Sequence, residues 1–330
     1  MSTVTSAAAG KPKTDLISVV VPFFNEERGI DNFFLELCTA LDGIPNSVFE
    51  IICINDGSHD LTLAKLLNHA SGDARIKVID LSRNFGKEAA LTAGLDHAMG
   101  DAIIPFDADL QDPPGVIALL VEKWREGYDV VIAKRADRTS DSYAKRSTAA
   151  LFYRAINAIS DISIPENAGD FRLMSRTTVE ALKLLPENCR FMKGLFAWVG
   201  GRTAEIEYVR ESRVAGSSKF SGWKLWNLAL EGITSFSTLP LRIWTYFGGF
   251  TALFTFFYAL FLIVRTSIRG VDVPGYASIL TVVLFLGGIQ LMGIGILGEY
   301  LGRIYHEAKR RPSYIVRKVY SQRPLEHEAA

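Results

Sequence analysis

The sequence is short of cysteine, carries no surplus of either charge and opens without an apolar run, and each shortage excludes something. Cys38, Cys53 and Cys189 show neither a zinc-ligand spacing nor the density of a disulfide scaffold. They read as reduced thiols of a cytosol-facing chain. Lys plus Arg number 36 and so do Asp plus Glu, for a formal net charge of +0. Nothing in that balance points to nucleic acid. Residues 1–15 are small and polar, so no signal peptide is expected there, and the segment is expected to be a disordered tail. Apolar residues, by contrast, are plentiful. The 330 residues are 48% hydrophobic and 22% charged, yet the mean hydropathy reaches +0.16. The apolar residues must therefore be concentrated in one part of the chain. The length suggests about two domains.

The first part alternates two patterns. Leu16-Ile17-Ser18-Val19-Val20-Val21-Pro22 reads as a buried strand closed by proline, and residues 30–41 carry apolar side chains at helical spacing. Further strands are expected at 49–54, 76–81, 103–106 and 129–133, with helices at about 60–70, 87–99 and 113–124. Such alternation implies a parallel sheet covered on both faces. Ligands of such sheets sit beyond the carboxyl ends of the strands. Asn25/Glu26, Asn55/Asp56, Arg83/Asn84 and Asp107/Asp109 all fall at those ends. An amphipathic helix is expected at 140–159, and a strand-like run at 204–209 precedes a basic loop at 210–219.

The most informative stretch is Ile103-Ile104-Pro105-Phe106-Asp107-Ala108-Asp109-Leu110-Gln111-Asp112-Pro113-Pro114. Side chains two apart on a strand share a face, so Asp107 and Asp109 point the same way. Close carboxylates in an apolar setting repel, and need a cation or a raised pKa. Oxygen ligands suit Mg²⁺ or Mn²⁺, and Mg²⁺ is commonly held by one or two carboxylates plus substrate phosphates. The stretch implies a divalent metal gripping a nucleoside diphosphate. An acidic turn after a strand is the plainer alternative.

The composition changes after residue 220. Residues 223–236 mix Trp223, Leu225, Trp226 and Leu228 with few charges, which fits an interfacial helix or an ordinary amphipathic core helix. Residues 244–264 hold no charge and, at 1.5 Å per residue, span about 30 Å, the thickness of a bilayer core. Arg265-Thr266-Ser267-Ile268-Arg269-Gly270 is expected to break that helix. A second span is expected over about 277–298. Gly298 and Gly302 have small-xxx-small spacing, which suits hairpin packing or a homo-oligomer, or reflects the glycine tolerance of membrane helices. The expected division is a tail at 1–15, a catalytic domain at 16–220, a juxtamembrane helix at 221–240, a two-helix hairpin at 241–302 and a cytoplasmic tail at 303–330. The catalytic part and both termini are expected on the cytoplasmic side of the inner membrane.

Taken together, Val21-Pro22-Phe23-Phe24-Asn25-Glu26-Glu27, Asn55-Asp56-Gly57-Ser58, Arg83-Asn84-Phe85-Gly86-Lys87, Asp107 to Pro114, Gly169-Asp170-Phe171-Arg172-Leu173 and Gly216-Ser217-Ser218-Lys219 resemble the family 2 glycosyltransferases that load a sugar onto a polyprenyl phosphate. The catalytic half is similar to dolichol-phosphate mannose synthases, and the whole chain, from about 16 to 320, to bacterial bactoprenol glucosyltransferases. The resemblance implies a GT-A α/β catalytic domain, Rossmann-like with a mostly parallel sheet, followed by interfacial amphipathic helices and two C-terminal transmembrane helices.

It also implies roles. Pro22, Phe24, Glu26, Asp56, Lys87 and Ala108 would surround the nucleotide, and Asp107, Asp109 and Gln111 the Mg²⁺ or Mn²⁺. Arg135, Arg146, Ser147, Arg213, Ser218 and Lys219 would receive the lipid phosphate. Asp107, Asp109, Asp170 and Arg135 form the catalytic group. Asn55 stands where many relatives have Asp. The implied reaction is inverting transfer of a sugar, glucose from UDP-glucose above other donors such as GDP-mannose, UDP-N-acetylhexosamines or an aminoarabinose donor, to undecaprenyl phosphate in the bilayer. Asp170 is often assigned as a base in such enzymes. A phosphate monoester is already largely dianionic near neutrality, so Asp170 is expected to position a basic side chain or the sugar instead.

Three rivals fit less well. A sugar nucleotidyltransferase would show a Gly-rich basic loop after the first strand, where this chain has Phe23-Phe24-Asn25-Glu26-Glu27. A non-enzymatic membrane scaffold would be expected to lose an acid of the Asp107/Asp109 pair. A processive synthase would carry a Gln-x-x-Arg-Trp motif and more spans.

Overall fold

The computed structural model describes residues 14–135, 168–185, 187, 192–209, 239–269 and 275–322. Residues 1–13 of the expected tail, the helix expected at 140–159, the basic loop at 210–219 and the interfacial helix up to residue 238 lie outside the described residues. The chain divides into two units. One holds the sheet with its helices and includes the segment from Pro312 onward, and the other holds the two long helices.

The sheet unit runs β1 (Asp15–Phe23), α1 (Ile30–Asp42), β2 (Ser47–Asn55), α2 (Thr62–Gly72), β3 (Ile76–Leu81), α3 (Lys87–His97), β4 (Ala102–Pro105), α4 (Val116–Arg125) and β5 (Val130–Arg135). It continues with β6 (Ala168–Ser175), α5 (Arg176–Lys183), α6 (Met192–Val199) and β7 (Thr203–Tyr208). The chain then passes through α7 (Leu239–Arg269) and α8 (Tyr276–Ala308) and returns to the sheet as β8 (Val316–Tyr320). The strand order is β7-β5-β6-β4-β1-β2-β3-β8. β1 pairs in parallel with β2 and β4, β2 with β3, and β5 with β7. β6 and β8 run against their neighbours. The sheet is therefore mostly parallel, as expected, with two reversed strands that the alternation did not reveal.

The central strands are aliphatic because both their faces are covered. Val19, Val20, Val21, Ile51, Ile52 and Ile54 are all fully buried. α1 turns Ile30, Phe33, Phe34, Leu37 and Leu41 inward, the stripe of a helix lying on a sheet. α3 comes close to the sheet because Gly94 has no side chain: a Cβ there would strike Val20 and Ile54. An aromatic series crosses the core beneath the strand ends. Phe23 meets Phe33 at 5.3 Å between centroids, Phe106 meets Phe171 at 5.2 Å, and Phe171 meets Tyr208 at 6.0 Å, all edge to face. Each such pair contributes about 0.5–1.5 kcal/mol beyond its buried area.

β8 is a departure from the expectation of a tail at 303–330. Its residues pair antiparallel with β3, from Leu81 against Val316 to Val78 against Tyr320, with an irregularity between Asp80 and Leu81. A second departure concerns α7, which continues through Arg265 to Arg269 rather than breaking there. Two charges spaced by one turn at the end of an apolar helix do not interrupt its backbone hydrogen bonds.

The helix unit is built differently. Phe250, Leu253, Phe254, Phe256, Phe257 and Phe261 on α7, and Phe285, Leu291, Ile294 and Leu301 on α8, are exposed. Among the described residues one stretch, Phe285–Ala308, is long and apolar enough to cross a membrane, with a mean hydropathy of 1.3. It sits further along the chain than the second span expected at 277–298. α7 holds the uncharged residues 244–264 in one continuous helix. The two helices touch where Gly293 is buried: a Cβ there would overlap the Trp244 indole. At Gly298 and Gly302 an added Cβ meets nothing within 4 Å, so that pair does not serve this contact.

Candidate active site

The carboxyl ends of β1, β2 and β4, with the start of α3, enclose a cleft of about 280 Å³ lined by Pro22, Phe23, Phe24, Glu26, Asp56, Asn84, Gly86, Lys87, Asp107, Ala108 and Asp109. The residues expected around a nucleotide and the paired acids thus meet in one place. Gln111, the third expected metal residue, is buried just behind it.

Phe24 presents an exposed ring at the cleft, whereas Phe23 turns into the core. Successive side chains of a strand face opposite ways, and this split gives one phenyl to packing and one to the opening. Asn25, next in the chain, has φ 55°, and its side-chain oxygen accepts from the His59 N–H at 2.9 Å. Asn is among the residues that tolerate this left-handed conformation best. The turn leaves Glu26 exposed at the cleft. Burial, then the negative charges of Asp109 and Asp60, push the Glu26 carboxyl above its ordinary value.

Asp56 is buried, and its two oxygens accept from the backbone N–H groups of Phe85 at 2.7 Å and Gly86 at 3.0 Å. Its carboxylate therefore ties the loop after β2 to the loop after β3. Gly57 makes this possible, with φ 62° and no room for a Cβ against the backbone of Arg83 and Asn84. What Asp56 offers a ligand is its remaining lone pairs. The same junction aims the N-terminus of α3 at the cleft, and free N–H groups at a helix start favour anions.

The acid pair stands on the chain just after β4. Leu110 has φ 53°, unusual for a side chain with a Cβ and a local cost of the kind found at functional sites. That turn lets the Gln111 N–H donate to Asp109 Oδ1 at 3.2 Å. Two residues on, buried Asp112 accepts from the Tyr208 hydroxyl at 2.5 Å. The acidic loop is thus fixed from below by a residue of β7, 96 positions away. No local pattern in the sequence announces that tie.

Lys87, the first residue of α3, reaches between two carboxylates. Its Nζ lies 2.7 Å from Asp107 Oδ1 and 2.8 Å from Asp170 Oδ2. Burial opposes the charge on Lys87, but Asp107 and Asp170 outweigh it and hold the ammonium above the ordinary lysine value. Burial raises the Asp107 carboxyl. Lys87 pulls it back, while Asp170 and Asp109 push it further up, and the net direction is upward. Asp170 arrives through β6, whose antiparallel pairing sets Ser175 against Ala102 and Met174 against Ile103. Arg172, two residues further along that strand, is buried. It donates from Nη2 to the Gly169 carbonyl at 2.8 Å and stacks 4.2 Å from the Phe196 ring centroid. Burial pulls its pKa down to about 10 against the pull of Asp170, so it stays cationic near neutrality.

The donor set suits a hard divalent cation. Asp107 and Asp109 supply oxygen atoms at the rim of an open cleft, and a lysine ammonium already sits against Asp107. Among the described residues no three His, Cys, Asp or Glu side chains are arranged to hold a metal ion. Two carboxylates would leave room for phosphate oxygens around such a cation. Of the residues expected to meet a lipid phosphate, Arg135 ends β5, paired in register with Tyr208. Arg146, Ser147, Arg213, Ser218 and Lys219 lie outside the described residues.

Two family descriptions match the chain: glycosyl transferase family 2 over residues 18–183 and the GtrB C-terminal hairpin over residues 239–304. The chain is 56% identical over 308 residues to the SfII prophage-derived bactoprenol glucosyl transferase of Shigella flexneri, covering 93% of this chain and 99% of that one. It is 55% identical over 303 residues to the prophage bactoprenol glucosyl transferase homolog of Escherichia coli K12, covering 92% and 99%. It is 53% identical over 300 residues to an uncharacterized glycosyltransferase of Synechocystis, covering 91% and 94%.

Proposed function

The chain belongs to glycosyl transferase family 2, and on that premise we propose that it transfers glucose from UDP-glucose to a membrane polyprenyl phosphate, undecaprenyl phosphate, with inversion at the anomeric carbon. The observation that carries this reading is the convergence of Asp107, Asp109, Lys87 and the α3 N-terminus on one cleft.

In this reading an oxygen of the lipid phosphate attacks the anomeric carbon, the bond to the diphosphate breaks, and UDP departs. Phe24, Pro22 and Glu26 surround the nucleoside, and the loops tied by Asp56 shape the floor beneath it. Asp107 and Asp109, helped by Gln111, would hold Mg²⁺ or Mn²⁺, which would supply Lewis-acid neutralisation of diphosphate charge. Lys87 adds a donor beside the phosphates. Asp170 keeps the Lys87 ammonium in place through its 2.8 Å contact. No general base is required, because the acceptor phosphate, with its second pKa near 6, is already largely dianionic at neutral pH. Arg135, Arg146, Ser147, Arg213, Ser218 and Lys219 are assigned to that phosphate, for which guanidinium and ammonium donors are suited.

A polyprenyl tail leaves the bilayer only at about 0.8 kcal/mol per CH₂, so the enzyme works at the membrane. We assign α7 and α8 to a spanning hairpin with the sheet unit and both termini on the cytoplasmic side. The match to the GtrB hairpin over 239–304 and the exposed apolar side chains of both helices support this. A panel of labelled nucleotide sugars, offered to the full-length protein in vesicles with undecaprenyl phosphate, tests the reading. Glucose from UDP-glucose should appear in the lipid phase ahead of every other sugar, and transfer of a different sugar, or none, would overturn it.

A further inference from the structure

The strand that the chain forms after the long helices lies outside the cleft lining, yet it is tied to both loops that hold Asp56. Ile315, one residue ahead of β8, accepts from the Ser82 N–H at 2.9 Å. Arg317 donates from Nη2 to the Ser82 carbonyl at 2.7 Å. The backbone of Ser82 is therefore gripped on both its donor and its acceptor side. Ser82 opens the loop whose Phe85 and Gly86 N–H groups bind the Asp56 carboxylate.

A second route starts from the same guanidinium. Arg317 Nη1 lies 3.4 Å from Oδ2 of Asp80, a buried acid near the end of β3. The other oxygen of Asp80 accepts from the Asn55 side-chain amide at 2.7 Å. Asn55 is buried too, and its own side-chain oxygen accepts from the Ser58 N–H at 3.3 Å. Ser58 Oγ in turn accepts from the Asn25 N–H at 3.1 Å, on the loop that carries Phe24 and Glu26. The amide at position 55 matters here, since a carboxylate could not donate to Asp80. The segment is fixed at both ends as well. Tyr314 donates to Asp96 Oδ2 at 2.7 Å, and Gln322 donates to the carbonyls of Ala70 and Ser71 at 2.7 and 2.9 Å, where α2 ends.

We propose that Arg317 on β8 is a positioning residue for the nucleotide: through Ser82 on one side and Asp80–Asn55 on the other, it braces the two loops that present Asp56 to the donor. This rests on the reading that the cleft takes a UDP-sugar. Donor affinity then depends on a strand that the chain supplies only after the hairpin helices. Arg317 is more than half exposed, and an exposed ion pair contributes little by itself. The effect is one of geometry, and it should be read in donor binding rather than in stability.

The test uses the full-length protein in vesicles, with steady-state kinetics in UDP-glucose and calorimetric titration of UDP. Arg317→Ala should raise both KM for UDP-glucose and Kd for UDP roughly three- to tenfold, with kcat within about twofold of the parent. Arg317→Lys, which keeps the cation but not the fork, should recover part of that loss. Asn55→Asp, which sets two carboxylates face to face, should weaken UDP in the same way. Unchanged KM and Kd in Arg317→Ala, with or without a fall in Tm, would overturn the brace while leaving the donor reading intact. Should that variant fail to fold, unchanged UDP affinity in both Arg317→Lys and Asn55→Asp would overturn it equally. A parent protein that does not bind UDP would instead overturn the reading on which the brace rests.

Discussion

The sheet and the two long helices treat their apolar residues in opposite ways. The central strands bury most of their Val, Ile and Phe side chains, and a polar cleft opens at their carboxyl ends. Among the described side chains of the helices Gly293 is buried, while phenylalanines and leucines turn outward. The difference separates two tasks. In the proposed function the sheet builds an open cleft for a charged donor, and the helices serve the bilayer that keeps the acceptor's tail. Chemistry and anchoring should therefore break independently.

The largest effect is expected at the acid pair. Asp107→Ala and Asp109→Ala should each lower glucose transfer by about 10²–10³-fold, the scale of losing one preorganised charge-stabilising group. Recovery in the membrane fraction should be unchanged. Assays of lipid-linked product beside carbonate extraction of membranes check both halves. Near-normal transfer by either variant in excess chelator would end the metal assignment.

Asp170 comes next. Asp170→Asn should reduce kcat about tenfold by loosening Lys87, and the pH–rate profile should keep its shape. Activity that recovers steeply as pH rises would instead make Asp170 a base.

A smaller, graded effect is expected with pH. Glu26 and Asp107 both have raised pKa values, and Asp107 must be ionised to face a cation while Glu26 must be ionised to accept hydrogen bonds from the nucleoside through both oxygens. Metal-dependent UDP affinity is therefore full above their raised values and declines as pH falls through them, above the ordinary carboxylate range of about 4. Their contribution to stability has the opposite sign. A raised carboxyl favours the fold most below its unfolded value, and that contribution is lost as pH rises through the folded one. Titrations of UDP·Mn²⁺ affinity beside Tm on the acid side of neutrality separate the two. An affinity that stays constant down to the ordinary carboxylate range contradicts the assignment.

The smallest effect on chemistry is expected in the other unit. Gly293→Leu should push against Trp244 and destabilise the helix pair by about 1–3 kcal/mol, read as a lower Tm in detergent. UDP affinity should stay within about twofold of the parent, since the cleft lies wholly in the sheet unit. A loss of UDP affinity matching that of the acid-pair variants would show that the two tasks are not separable.

How much of this was legible in the chain follows the same division. The parallel core was readable because near-continuous aliphatic runs at 16–22 and 49–54 alternate with helical spacing. The acid pair was readable because i, i+2 spacing needs no long-range knowledge. β8 was not, since Val-Arg-Lys-Val-Tyr is short and charged, and only its pairing with β3 makes it a strand. β6 was not placed either: a strand that inserts in reverse between β4 and β5 leaves no trace in local periodicity. The Lys87–Asp170 contact spans 83 positions and the Tyr208–Asp112 contact 96. Both are products of that insertion and of β7 at the edge. The end of α7 was misjudged because charge marks where a helix meets water, not where its hydrogen bonds stop.

The most direct test of the acid-pair claim is calorimetric titration of UDP into the full-length protein with and without Mn²⁺. The parent should bind UDP at least about tenfold more tightly with the metal, and Asp107→Asn and Asp109→Asn should lose that difference while keeping the weak metal-free affinity. Equal UDP affinity with and without Mn²⁺ in the parent would contradict it.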